Sequence, residues 1–214
     1  MKEFLFKLDI IAPAFSLTFA FILFKIRKRK ISFPDLILLG FLIVELLLNI
    51  VSAILQVNKK SNLEVYLLNL ILIQLLFTYY FLKVLIRKKI VYFGFALFCL
   101  CTLLIVKGLQ ISDNFASYPY AFSSLIILIY SLVFLHQILD TLPSFNILSL
   151  KEFWIITGTL TYFGSTFLIF ISYHYLSVIA PKQVHVLWQL HNIFLCFGCL
   201  IFSKAINCKK WAPK

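Results

Sequence analysis

The stretch DLILLGFLIVELLLNIVSAILQ, residues 35–56, decides how the rest of the chain is read. It is long enough to cross a bilayer, which takes about 20 apolar residues. Yet it carries Glu45 at its midpoint and Asn49 one turn further on. A carboxyl group in hydrocarbon costs about 3 kcal/mol or more. A partner side chain, a water-filled cavity or a ligand must therefore satisfy Glu45. Glu45, Asn49, Ser52 and Gln56 recur at spacings of four, three and four, which is one face of a helix. The stripe runs from the membrane centre to one surface, and its cost in lipid predicts that it faces the interior of a bundle.

The remaining sequence is the wall that such an interior needs. Of 214 residues, 62% are hydrophobic and 13% charged, and mean hydropathy is +0.99. A soluble domain of this length carries far more charge. Apolar runs of spanning length occur at about 8–24, 35–56, 64–86, 90–106, 119–136, 153–176 and 184–203, separated by short polar or basic breaks. They cover nearly the whole chain, so the expectation is one all-α domain, a polytopic seven-helix membrane bundle. The first run lacks a small-residue cleavage site and reads as a retained span.

Charge sets the expected orientation. The net charge of +12 sits in the breaks between apolar runs. There it fixes topology and meets lipid headgroups. No basic face interleaved with aromatics is present, so nucleic acid is excluded as a partner. The KIRKRK block at 25–30 should stay cytoplasmic, which puts the N-terminus outside. Segments then assigned to the inside hold fourteen Lys and Arg, including Lys83, Arg87, Lys88, Lys89, Lys151 and Lys204, against six outside. The prediction is N-terminus out and C-terminus cytoplasmic, in the cell's inner membrane. GLQISDNFASYP at 108–119 is a turn-rich outer loop. ILDTLPSFNILSLKE at 138–152 is an inner connection with room for a short interfacial helix, and Trp211 anchors the basic tail at the interface.

Other spans carry polar groups at matching depth. Gln74 lies near the level of Glu45, and His191 and Asn192 near that of Asn49, with Trp188 one turn above Asn192. Tyr162, Ser165 and Thr166 offer hydroxyls from the sixth span. These spacings predict a pocket open to the outside, floored by Glu45 and rimmed by Trp188 and His185. The candidate ligand contacts are Glu45, Asn49, Gln74, Tyr162, Trp188, His191 and Asn192. The plainer reading of the same groups is hydrogen bonding across helices, at about a kcal/mol or less each.

Enzymatic chemistry finds little support. A metal-dependent intramembrane hydrolase needs several His ligands on one cavity and a carboxylate to activate water. His136, His174, His185 and His191 do not make that set: His185 and His191 are six apart and fall on different faces, and the last span lacks an H-x-x-x-H. A retinal lysine in the middle of the seventh span and a pair of haem histidines at one depth are also missing, so no cofactor or metal is expected. No Gly-rich phosphate loop or nucleophile elbow is found. Cys99, Cys101, Cys196, Cys199 and Cys208 all lie in or beside apolar runs, which provides no disulfide framework. The C-x-x-C of Cys196 and Cys199 reads as small residues at a helix contact.

FWIITGTLTYFGSTFLIF (153–170) followed by LWQLHNIFLCFGCLIFSKAI (187–206) resembles uncharacterised seven-span proteins of Bacteroidota. The residues that carry the resemblance are Phe153, Trp154, Ile155, Gly158, Tyr162, Ser165, Leu187, Trp188, His191 and Asn192. Similar bundles occur beside or fused to histidine kinases as the membrane input halves of sensor systems. The resemblance implies the input class of such systems, and the expectation is a sensor or signal-relay module that binds a small-molecule ligand or a partner. With no output domain following the seventh span, such a module would act through a partner such as a histidine kinase. Two further readings stand beside it. One is a small-molecule transporter on the three-plus-one-plus-three plan of the SWEET sugar transporters, for which the sequence shows little internal repetition. The other is a structural subunit of a membrane complex.

Overall fold

The computed structural model describes residues 7–27, 31–108, 117–141 and 146–208. The described chain is helical: α1 (Leu8–Arg27), α2 (Phe33–Val57), α3 (Leu63–Val84), α4 (Lys88–Gly108), α5 (Ser117–Thr141), α6 (Lys151–Ile179) and α7 (Val184–Asn207). Single 3-10 turns, Ile147–Ser149 and Pro181–Gln183, lead into α6 and α7. Several sequence expectations lie outside the described residues: the KIRKRK block beyond Arg27, the connection over 109–116, and the tail lysines with Trp211. Of the inner connection expected at 138–152, 138–141 belong to α5 and 151–152 to α6, and Ile147–Ser149 between them form a single 3-10 turn.

Helices are the natural form of these runs, because in hydrocarbon each backbone N–H and C=O must be bonded within its own segment. Six of the helices are long and apolar enough to cross a membrane, and α4 carries the same kind of run, so the chain has six to seven spanning helices. Large apolar side chains such as Phe15, Phe21, Leu36, Leu47 and Leu104 face outward along the shafts. A bilayer is the solvent that suits such a surface.

Six helices close a circuit. α1 packs on α2, α2 on α3, α3 on α5, α5 on α6, α6 on α7, and α7 returns to α1. α2 and α7 also touch across the circuit, while α4 packs on α3 and α5, from outside. The seam between α6 and α7 is close-packed. A Cβ on Gly158 would lie 2.5 Å from the Phe202 ring, and one on Gly198 would lie 3.1 Å from Tyr162 Cβ. Small residues let these two backbones approach. Ser16 of α1 adds a bond to the Cys199 carbonyl of α7, 3.2 Å.

The turns fix the register. α2 closes in a Schellman arrangement, with Lys60 N–H bonded to the Leu55 carbonyl (2.9 Å) and Lys59 N–H to that of Gln56 (3.0 Å). Lys59 holds the left-handed position, φ 55°. This short reversal sets α2 against α3 so that Ser52 meets Tyr66 (3.1 Å) and Phe33 meets the rings of Tyr79 and Tyr80. Between α3 and α4, Gln137 of α5 spans the break: its side chain accepts from Ile86 N–H (3.0 Å) and donates to the Val84 carbonyl (3.3 Å). Helix-end groups that would otherwise be orphaned are thereby satisfied.

Candidate functional site

Glu45 is 4% exposed and sits inside the circuit. Three donors from three helices converge on its carboxyl group. Asn49, one turn on in α2, donates at 3.3 Å; Asn69 of α3 donates at 3.3 Å; the Tyr162 hydroxyl of α6 donates at 3.2 Å. Asn49 also reaches the backbone carbonyl of Asp9 in α1, 3.2 Å. Hydrogen bonds of this kind offset the cost of burying a carboxyl group. The stripe reaches the neighbouring level too. Ser52 donates to the Tyr66 hydroxyl and accepts from Asn62 at 2.9 Å, while Gln56 is exposed at the helix end.

Beside Glu45 lies a cavity of about 30 Å³. That is room for about two waters. Residues from α1, α2, α3, α5, α6 and α7 line it, and none from α4. Glu45, Asn49, Tyr162, Trp188, His191 and Asn192 all contribute. Gln74 does not. It lies farther from the Asp9 end of the bundle, where it accepts from Ser123 (2.6 Å) and donates to Thr78 (3.4 Å), tying α3 to α5. The register set by the 58–62 turn puts Asn69 opposite Glu45 instead. His185 is exposed and off the lining, so the rim expected of it is made by other residues.

An aromatic collar closes the cavity toward the Asp9 end. Tyr66 of α3 meets Trp188 of α7 edge-on, with centroids 5.5 Å apart, and Trp188 meets Phe170 of α6 at 6.3 Å. Phe170 meets Tyr120 of α5 at 5.0 Å, and the Tyr120 hydroxyl donates to the Tyr66 carbonyl. The four contacts form a closed loop through four helices. His191 packs under it against Trp188, Phe170 and Tyr162, and its Nδ1 has no hydrogen-bond partner. On the other side the cavity rests on a dry floor, where Phe41, Phe77 and Phe202 are all 0% exposed. Phe41 touches Phe77, Phe202 and Tyr162 edge-on.

Below that floor, near the opposite end, lies a buried ion pair that sequence reasoning missed. Lys151 Nζ of α6 stands 2.7 Å from Asp35 Oδ1 of α2, with the two side chains 1% and 0% exposed. Lys151 also bonds Ser32 Oγ at 3.0 Å, and Asp35 Oδ2 accepts from Ser32 N–H at 2.9 Å and from its hydroxyl. α2 and α6 are thus cross-linked twice, through Glu45–Tyr162 and through Asp35–Lys151. Ten and eleven residues separate the two links along the helices, or about 15 Å of rise.

Elsewhere the polar groups act locally. Ser165 and Thr166 bond carbonyls of their own helix. His136 pairs with Asp140 at 2.7 Å on the surface, and His174 lies against Tyr118. The cysteines are free thiols. Among the described residues no three His, Cys, Asp or Glu come together to hold a metal ion.

No family model, curated protein or solved structure matches this chain.

Proposed function

We propose that this protein is a ligand-binding relay module of the cell's inner membrane. It binds a small polar ligand beside Glu45 and passes the change to its cytoplasmic end. One observation carries the reading: the carboxyl group at the cavity is bonded to Tyr162, and the helices that bear these two residues are joined again below by Asp35–Lys151. A ligand that draws Glu45 away from Tyr162 loosens the upper link. α2 and α6 then pivot on the lower one, which alters the packing presented at that end. The basic groups at the Lys151 end, among them Lys83, Arg87, Lys88 and Lys204, support placing that end in the cytoplasm. A histidine kinase is the partner the Bacteroidota resemblance suggests.

A transporter is the second reading, favoured by one feature. α4 packs outside the circuit and falls in sequence between α1–α3 and α5–α7, in keeping with a three-plus-one-plus-three plan. The collar and the Phe41 floor would then be the two closures of an alternating path.

Affinity purification from native membranes in mild detergent, with mass spectrometry, separates the two. A histidine kinase recovered in stoichiometric amount supports the relay. Recovery of the chain alone, together with solute flux in liposomes, supports transport and overturns the relay.

A further inference from the structure

We propose that the ligand of the Glu45 cavity is a small ammonium cation, of the size of ammonium or methylammonium. This deepens the reading of the cavity as a ligand site and rests on it. The lining holds two carboxyl groups, Asp9 and Glu45, and no lysine or arginine. Its donors are largely spent. The amides of Asn49 and Asn69 and the hydroxyl of Tyr162 go to Glu45, and the hydroxyl of Tyr120 to a backbone carbonyl.

Three atoms on lining residues are left without a hydrogen-bond partner: Asp9 Oδ1, Asn69 Oδ1 and His191 Nδ1. The first two are acceptors, and the third accepts when Nε2 carries the ring proton. Asn69 and His191 are 7% and 9% exposed, so water does not readily satisfy them. A ligand complementary to this lining donates hydrogen bonds and carries positive charge.

The collar fits the same ligand. Aromatic rings attract a cation within about 6 Å of their faces, tryptophan and tyrosine best. Trp188, Tyr66 and Tyr120 all line the cavity. The volume of about 30 Å³ suits one or two non-hydrogen atoms. A trimethylated amine is too large unless the collar opens. A metal ion fits less well, because no group of three carboxylate, thiol or imidazole ligands converges among the described residues. An ammonium ion needs acceptors in several directions and tolerates the amide and ring nitrogen found here.

The test is thermal unfolding of the full chain in detergent, with ammonium, methylammonium or choline chloride, formamide or sodium formate, against sodium chloride at matched ionic strength. Ammonium and methylammonium should raise the midpoint by several degrees in a saturable way. Choline, formamide and formate should not. Glu45→Gln and Asp9→Asn should each lose most of the shift, and the second variant guards against the first misfolding. A shift from formamide or formate without one from the cations would overturn the cation assignment and leave the ligand-site reading standing. An equal shift from choline would overturn the size assignment. No shift from any probe, with the chain folded, would overturn both.

Discussion

At the scale of single residues, two buried polar sites dominate, and they differ in kind. Lys151 and Asp35 satisfy each other, so removing one strands the other. Lys151→Met should cost about 3–5 kcal/mol, whereas Lys151→Met combined with Asp35→Leu should recover most of it. Unfolding in detergent of the two single variants and the double variant checks this. Additive losses would mean that the two side chains are not coupled. Among the described residues Glu45 has no cationic partner and takes three neutral donors. Glu45→Gln keeps an acceptor for them and should cost about 1 kcal/mol, while Glu45→Leu orphans all three and should cost about 3 kcal/mol. Equal costs for the two would show that the carboxyl position is bonded differently.

Glu45 is legible from sequence alone because its position is expensive, and the spacing of Asn49 and Ser52 names the face. Lys151 is not, because a basic residue beside a loop reads as a topology signal whether or not it is buried. Asn69 and Tyr66 were also missed. Depth counting along two helices accumulates error, and the true register depends on the 58–62 turn.

At the scale of elements, the helix ends and the seams carry the specificity. Lys59 holds a left-handed conformation that suits glycine. Lys59→Gly should raise stability by about 0.5–1 kcal/mol, since relief of the side-chain clash outweighs the freedom given to the unfolded chain. A loss of stability would mean that the turn is not closed in this way. Gly158→Ala drives a methyl group into the Phe202 ring. It should cost about 1–3 kcal/mol and open the α6–α7 seam. Unfolding midpoints of both variants test these signs. The seven apolar runs foretell the helices well, because length and hydropathy are one-dimensional properties. The exclusion of α4 from the circuit is not foretold. A helix apolar on all sides gives no hint of which face meets protein and which meets lipid.

At the scale of the whole molecule, the bundle interior holds the Glu45 site and the Asp35–Lys151 pair at two levels, with a cluster of aromatic rings between them. Phe41, Phe77 and Phe202 lie between the cavity and the Asp35–Lys151 pair, and α2 and α6 run past both, so the proposed communication is mechanical, along these two helices. The proposed orientation is also a whole-molecule property. With the native cysteines replaced, Lys60→Cys and Lys182→Cys should react with an impermeant maleimide on intact cells, and Arg87→Cys should react only after lysis. The reverse pattern would place the cavity on the cytoplasmic side.

The account's central claim is that Glu45–Tyr162 and Asp35–Lys151 are two links of one lever. The most direct measurement is the distance distribution between spin labels at Leu36 of α2 and Thr157 of α6, by pulsed dipolar spectroscopy, in the wild-type background and with Tyr162→Phe. Breaking the upper link should change how the two helices lie against each other and shift or broaden this distribution. An unchanged distribution, with the Tyr162→Phe variant folded, would contradict the lever and leave Glu45 as a group that serves only its own level of the bundle.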